Sequence, residues 1–237
     1  IQSTTPPVAG VTNAPVPGQS PAVSAVVPSV PGSASTTASI GQIKETLLEN
    51  RPHVKIEAPR LRGSISLIGA HLDDISFVDY HEELDPTSPE ISFLQPRGVQ
   101  NSYFAQFGWS GGQGVGVPND ATKWTADSKT LTPERPVTLT WNNGQGLEFT
   151  RTISIDKNYM FAVTQKVKNT GKANATLYPY GLISRQNTPE TNGLYILHEG
   201  PIGVFNGQLQ EIAYDDLQES KSVSETTTGG WLGITDK

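Results

Sequence analysis

Two pairs of neighbouring side chains are the first candidates for acid–base chemistry. Glu199 directly follows His198, and Asp74 directly follows Asp73. General acid–base catalysis needs two such groups to converge on one substrate atom, whereas neighbours in a strand point to opposite faces. We therefore interpret Asp73 and Asp74 as a solvated turn, and we predict no catalytic residue. The sequence leaves open whether two of the other histidines converge in space: His53, His71 and His81.

Metal, phosphate and cofactor sites also lack the spacing that their chemistry requires. The acidic residues Glu82, Glu83 and Asp85 do not follow the Asp-x-Asp-x-Asp-Gly order of a calcium loop. The run from Gly108 to Gly116 continues into Val-Pro-Asn-Asp without a helix pattern, so we interpret it as a surface loop between strands. The chain has no cysteine, which excludes disulfides and thiolate metal sites. We predict no metal and no cofactor.

Composition narrows the class of protein further. The 237 residues carry 23 acidic and 17 basic side chains, a net charge of −6, and the basic ones are scattered. A nucleic-acid partner is not predicted, because phosphate binding requires a positive stripe. No apolar run approaches the ~18 residues of a membrane span, and no signal peptide is visible. The chain begins with Ile1 and its single methionine is Met160, so we interpret it as a piece of a longer protein.

The candidate side chains must be positioned by β-strands, because much of the sequence alternates between apolar and polar residues. Between residues 137 and 169, apolar residues recur at every second position and Asn, Gly and Asp clusters interrupt them. This pattern predicts three antiparallel strands joined by tight turns, with Arg151 breaking the alternation once. Their apolar face requires a second layer. Residues 54–57 predict a first strand, and residues 212–222 predict a short amphipathic helix.

The first 40 residues differ in kind from the rest. They contain no charged and no aromatic residue and are mostly Pro, Ser, Thr, Ala, Val and Gly. Such a segment cannot bury enough surface to offset the entropy of ordering it. We predict a disordered linker over residues 1–40 that tethers an anchor to a folded head. Residues 41–237 are predicted to form that head as a single domain, opening with a short helix that Ser39 caps and that Arg51-Pro52 ends.

Several motifs, taken in order, resemble one family. They are Gly63-Ser64-Ile65-Ser66-Leu67, Leu72-Asp73-Asp74, Tyr103–Trp109, Leu139–Gly146, Leu177–Arg185, Ile196–Gly200 and Gly229–Lys237. Over residues 54–237 the chain resembles the periplasmic domain between the first and second transmembrane helices of YidC-type membrane protein insertases of Gram-negative bacteria. The resemblance implies an all-β fold, a two-layer twisted β-supersandwich similar to galactose mutarotase, with one or two short helices.

The resemblance also implies a function and a location. The expected role is that of a non-catalytic domain at the periplasmic face of the inner membrane, in an insertase that aids insertion and folding of membrane proteins, alone or with the Sec translocon. Expected partners are SecDF and Sec translocon components. Nascent membrane proteins would be handled by the transmembrane core, which lies outside this sequence, and the membrane would be reached through flanking helices. The isolated chain is expected to insert nothing.

Residues 229–237 are expected to be the membrane-proximal exit of the domain. Tryptophan favours the membrane interface because its ring is apolar and its N–H is hydrated. We predict that Trp231, Leu232 and Ile234 seat the domain against the bilayer or the transmembrane core. Of the other tryptophans, Trp141 lies on the apolar side of its predicted strand and is expected in the core.

Two other functions remain open from sequence. The supersandwich is shared with sugar-converting enzymes, so a carbohydrate-binding or mutarotase-like module is the main alternative, although fold analogy is a poor guide to function. The second alternative is a chaperone-like module, in which a groove or a sheet edge binds extended polypeptide chains.

Overall fold

The computed structural model of this chain describes residues 44–189 and 198–235. The chain divides into two units, Ile1–Ser35 and Thr36–Lys237, and the described residues all lie in the second unit. The predicted linker over residues 1–40 and the predicted cap at Ser39 lie outside the described residues. Residues 44–49 form helix α1, and the chain leaves the helix before Arg51-Pro52, where proline restricts the preceding residue.

Strands form most of the regular structure in the described residues. Helix α2 spans Tyr214–Ser220. The prediction of an all-β fold with one or two short helices is confirmed. The strands are β1 (His53–Glu57), β2 (Leu61–Ser66), β3 (Leu72–His81), β4 (Glu90–Leu94), β5 (Tyr103–Gly111), β6 (Thr125–Ala126), β7 (Thr130–Leu131), β8 (Val137–Asn142), β9 (Leu147–Ile155), β10 (Phe161–Asn169), β11 (Leu177–Arg185), β12 (Gly200–Phe205), β13 (Gln208–Glu211) and β14 (Gly230–Thr235).

The largest sheet has seven strands. Its order is β11-β5-β3-β2-β1-β7, and β4 also pairs with β3. The pairs are antiparallel except β1 with β7, which run parallel. The sequence predicts a loop over Gly108–Gly116, but Gly108–Gly111 belong to β5, where Gly108 faces Tyr180 of β11. The Tyr180 ring occupies the space that a side chain at Gly108 would take, which explains a glycine inside a strand.

The second sheet contains the predicted meander. Its order is β10-β9-β8-β6, and the three strands predicted between residues 137 and 169 are confirmed as β8, β9 and β10. Gly144 and Gly146 have φ of 72° and 96° in the turn between β8 and β9, a backbone region that favours glycine. The alternation in β9 is complete, because every second residue from Leu147 to Ile155 is buried, Arg151 included.

The apolar core lies between these two sheets, so the second layer that the meander requires is present. Trp109 and Trp124 also lie in this core, whereas Trp141 is half-buried with its ring 5.5 Å from the ring of Phe149. The buried aliphatic side chains of the strands come from both sheets: Val54, Ile56, Leu61, Ile65, Leu72, Ile75, Leu94 and Leu131 from the first, and Val137, Leu139, Leu147, Ile153 and Ile155 from the second.

A third sheet lies at the C-terminal end of the described chain. Its order is β13-β12-β14, and α2 follows β13. Within the described residues, none from 198 onward belongs to the core of the two larger sheets. The predicted exit segment is therefore a paired strand, since β14 is hydrogen-bonded along β12 from Gly230 to Thr235.

Candidate functional site

His198 and Glu199 lie just before β12. His198 Nε2 is 3.0 Å from the carbonyl oxygen of Pro201, and the Thr235 hydroxyl donates to the His198 carbonyl at 2.9 Å. A carbonyl oxygen only accepts, so Nε2 is the donor in the first contact. This nitrogen therefore has no free lone pair with which to take a proton from a substrate.

Asp73 and Asp74 are buried in β3, so their interpretation as a solvated turn is wrong. The register between β2 and β3 shifts here, because Ser64 faces Asp74 whereas Ile65 faces Leu72. Asp73 is the extra residue of a β-bulge, and a bulge interrupts the alternation of side chains. Because of the bulge, the carboxylates of Asp73 and Asp74 can both contact cations that come from one segment of the chain.

Helix α1 and the residues that follow it supply the cations that pair with Asp73 and Asp74. Arg51 donates from Nη1 and Nη2 to the two oxygens of Asp73, at 2.7 and 3.0 Å. Lys44 Nζ lies 2.9 Å from Asp74 Oδ1, and the Ser64 hydroxyl donates to Asp74 at 3.0 Å. Burial raises the pKa of Asp73 above its ordinary value, and Arg51 opposes this rise by stabilising the carboxylate. The two carboxylates hold the helix on the sheet.

His71 and Asp120 are the histidine and carboxylate that the fold brings together. His71 Nε2 is 3.7 Å from Asp120 Oδ1, and Asp120 also accepts from Arg97 at 2.6 Å and from Gln106 at 2.8 Å. Burial, and after it the nearby Arg97 cation, lowers the pKa of His71 to about 4, although Asp120 opposes the fall. The bond from Arg97 lowers the pKa of Asp120. The histidine is 4% exposed, so its ring is withheld from a substrate, whereas the Asp120 carboxylate is 52% exposed and is already bonded to Arg97 and Gln106.

Arg151 is the residue that broke the alternation of the meander, and it is fully buried. Its guanidinium donates to the carbonyl of Ala70 at 2.8 Å and to the carbonyl of Phe107. The same group lies 5.0 Å from the ring centre of Trp124 and 5.9 Å from that of Trp109. Burial lowers the pKa of Arg151 to about 10, so it stays charged at neutral pH. Two carbonyls and two indole faces stabilise this cation.

The predicted contact residues all lie on β14, but not on one face. Trp231 and Leu232 are 54% and 64% exposed, and Ile234 is half-buried. Leu232 and Ile234 share a face, which puts Trp231 on the opposite one. The structure therefore brings Leu232 together with Ile234 and separates Trp231 from both.

Trp231 has other apolar neighbours, which sequence alone did not suggest. It faces Val204 of β12, and Val204 faces Leu209 of β13, so the three residues form one row across the sheet. Leu209 is 57% exposed. The turn of the β12–β13 hairpin is tied to residues 226–227, because Asn206 donates to the Thr227 hydroxyl at 3.1 Å and to the Thr226 carbonyl at 3.2 Å. We call residues 204–210 and 226–232 the sheet tip.

Ile234 lines a groove instead of the surface. The groove has a volume of about 540 Å³ and runs between β11, α2 and the third sheet. Its apolar lining comes mainly from Ile183, Phe205, Ile212, Leu217, Leu232 and Ile234. Leu232 stands at its border, since it is also exposed.

A second apolar surface, partly exposed, joins the seven-stranded sheet to the turn between β9 and β10. The ring of Phe77 is 5.9, 5.0 and 5.7 Å from the rings of Tyr80, Phe93 and Tyr159, and Phe93 is 6.2 Å from Tyr103. Tyr80 and Phe93 are exposed. We call these five residues the aromatic patch.

Residues 44–189 and 198–235 contain no group of three or more His, Asp or Glu side chains placed to hold one metal ion. None of the helices in these ranges combines the length and the apolarity of a membrane span.

Comparison with known proteins gives a consistent match. Residues 53–237 match the family model of the YidC periplasmic domain. Proteins named membrane protein insertase YidC are similar to the chain: that of Methylobacterium nodulans is 44% identical over 96% of this chain and 38% of the relative. The relative from Bradyrhizobium diazoefficiens is 48% identical over 82% and 32%, and that from Nitrobacter hamburgensis is 50% identical over 78% and 31%. The chain thus spans less than two fifths of the length of these relatives.

Proposed function

Because the chain belongs to the YidC periplasmic domain family, we propose that it is the non-catalytic periplasmic part of an insertase that aids insertion and folding of inner-membrane proteins. The domain lies at the periplasmic face of the inner membrane. Its own role is that of an adaptor, which offers surfaces to partners and to the membrane while the transmembrane part of the protein carries out insertion.

One observation supports an adaptor over an enzyme. The histidines and carboxylates that come together are buried or already hydrogen-bonded, whereas the sheet tip and the aromatic patch are apolar and exposed. Exposed apolar patches mark sites of interaction with proteins or membranes, whereas acid–base catalysis needs accessible titratable groups. Nothing in the described residues favours the sugar-handling alternative. Titration calorimetry with monosaccharides tests it, and saturable binding would contradict the adaptor role.

The proposed partners are SecDF and components of the Sec translocon. The aromatic patch is the better protein-docking surface of the two, because its five rings contact one another and arginines border it: the Arg60 guanidinium is 5.4 Å from the Tyr159 ring centre, and that of Arg185 is 4.8 Å from the ring centre of Tyr103. Aromatic residues and arginine are enriched at the energetic centres of interfaces.

Site-specific photo-crosslinking in cells tests this proposal. A photoreactive side chain is placed in the full-length protein at Phe93 in the aromatic patch, and at exposed Leu84 as the control. We expect crosslinks to SecDF or translocon subunits from position 93 and none from position 84. Equal products from both positions, or none from either, would contradict the partner assignment.

The adaptor role itself has a separate test. The full-length protein and the 237-residue chain are each supplied to vesicles that contain a nascent membrane protein. We expect protease-protected substrate only with the full-length protein, because the chain lacks a spanning helix in its described part. Insertion by the chain alone would overturn the assignment of insertion to the transmembrane part.

A further inference from the structure

The sheet tip combines two properties that are uncommon in an exposed hairpin. Its residues, 204–210 and 226–232, contain no charged side chain. Large apolar side chains are exposed on both faces of the tip: Leu209 and Trp231 on one face, and Leu232 on the other.

Exposure on both faces distinguishes between two kinds of occupant. A protein partner of fixed shape covers one side of a thin sheet and leaves the other in water. A fluid apolar medium surrounds an inserted edge on both sides. The domain lies at the inner membrane, so such a medium is within its reach.

We propose that the sheet tip inserts edge-on into the interfacial region of the phospholipid bilayer. This inference rests on the proposed function, which places the domain at the membrane surface. Trp231 then occupies the headgroup level, where tryptophan is favoured because its ring is apolar and its N–H is hydrated.

The geometry sets the depth of insertion. Leu209, Trp231 and Leu232 pair with Val204 or Gly203, which are two and three residues from Asn206 at the turn. At about 3.4 Å per residue they lie within ~10 Å of the end of the hairpin. Interfacial elements bury their apolar side chains to about 5–10 Å. Glu225 accepts from Gln210 at 3.2 Å, so the first carboxylate stands at the level where the tip would leave the lipid.

Charge predicts which lipid matters. The tip carries no cation and the chain has a net charge of −6. Binding should therefore depend on the apolar side chains, and anionic lipid should not strengthen it.

The test uses the 237-residue chain and vesicles of phosphatidylcholine, alone or mixed with phosphatidylglycerol. We expect sedimentation of the chain with both, no tighter with the mixture, and quenching of tryptophan fluorescence by brominated phosphatidylcholine. Trp109 and Trp124 are buried in the core and Trp141 is half-buried against Phe149, so the Trp231→Phe variant assigns the quenching to Trp231. Trp231→Phe should remove most of the quenching and keep sedimentation within about twofold, since an aromatic ring remains.

The double variant Leu209→Ser, Leu232→Ser should weaken sedimentation about tenfold, because two side chains lose their burial in lipid. Leu84→Ser, at an exposed leucine outside the tip, should leave it unchanged. If the double variant does not fold, quenching of the wild-type chain still decides the question.

Absence of both sedimentation and quenching would overturn the inference. So would equal weakening by the tip variant and the Leu84→Ser control. Tip variants could instead impair the full-length protein in cells while the 237-residue chain does not bind vesicles. The tip would then contact a protein, so membrane insertion would be wrong and the adaptor function would stand.

Discussion

Arg51 forms a two-point ion pair with Asp73, and both side chains are withdrawn from water where α1 meets the centre of the seven-stranded sheet. Asp73 is fully buried, so its charge is compensated mainly by this arginine. The pair joins the first described helix to the strand that carries the bulge.

Removing one partner of this pair should be costly. Arg51→Met leaves the Asp73 carboxylate buried without its partner, and we expect the free energy of unfolding to fall by about 3–5 kcal/mol. Urea titration measures it. Lys55→Met, which breaks the exposed pair of Lys55 with Glu57, should change it by less than ~1 kcal/mol. Similar small losses in both variants would show that the Arg51–Asp73 pair does not stabilise the fold.

Arg151 should be needed as a hydrogen-bond donor and not only as a charge. Arg151→Met leaves the carbonyls of Ala70 and Phe107 without this donor, and a loss of about 2–4 kcal/mol is expected. Arg151→Lys keeps the charge but lacks the planar fork, so it should recover only part of the loss. Urea titration measures these losses, and Lys166→Met, at an exposed position of β10, is the control. Full recovery by lysine would contradict the two-carbonyl role.

His71 should make the domain less stable in mild acid. Its pKa is about 4 in the folded chain and 6.5 ordinarily, so between these values the unfolded chain binds more protons and stability falls as the pH falls. From pH 7 to pH 5 this group should remove ~2 kcal/mol from the free energy of unfolding.

The comparison of variants isolates this histidine from other groups. The pKa of Asp73 is raised, so that carboxylate acts in the opposite direction, favouring the folded chain as it becomes protonated. His71→Gln should reduce the loss between pH 7 and pH 5 by about the same ~2 kcal/mol, whereas His53→Gln, at an exposed site, should not. Identical pH profiles for the wild type and His71→Gln would contradict the assignment.

Gly63 should tolerate no side chain. It has φ of 147°, and a Cβ there would overlap the Asp74 carbonyl across the β2–β3 pair. Gly63→Ala is expected to prevent a stable fold, seen as loss of near-UV circular dichroism. Gly114 has φ of 79° with no atom near the Cβ position, so Gly114→Ala should cost only about 1–2 kcal/mol of backbone strain. A native spectrum for Gly63→Ala would show that the strands separate easily.

Local patterns predicted the meander because its strands are consecutive and their turns carry Asn and Gly. The same pattern already contained Arg151, whose place among inward-facing residues signals burial. The bulge at Asp73 has no such local signal, since it depends on the partner strand and on α1. Likewise, Trp231 meets Leu209 only through β12, and no spacing along the chain shows that both border one hairpin end.

The pairing of β5 with β11 also constrains when the domain can be completed. Tyr103 pairs with Arg185 at one end of the two strands and Gly111 pairs with Leu177 at the other. During synthesis, the backbone N–H and C=O groups on that side of β5 have no hydrogen-bond partners until the chain has been made to residue 185, after the whole meander. Non-local pairing of this kind is slow, and an unpaired strand edge invites association with other chains. An incompletely synthesised domain is therefore most prone to aggregate along β5. Correct folding requires that this edge is kept from pairing with other chains until β11 has been made.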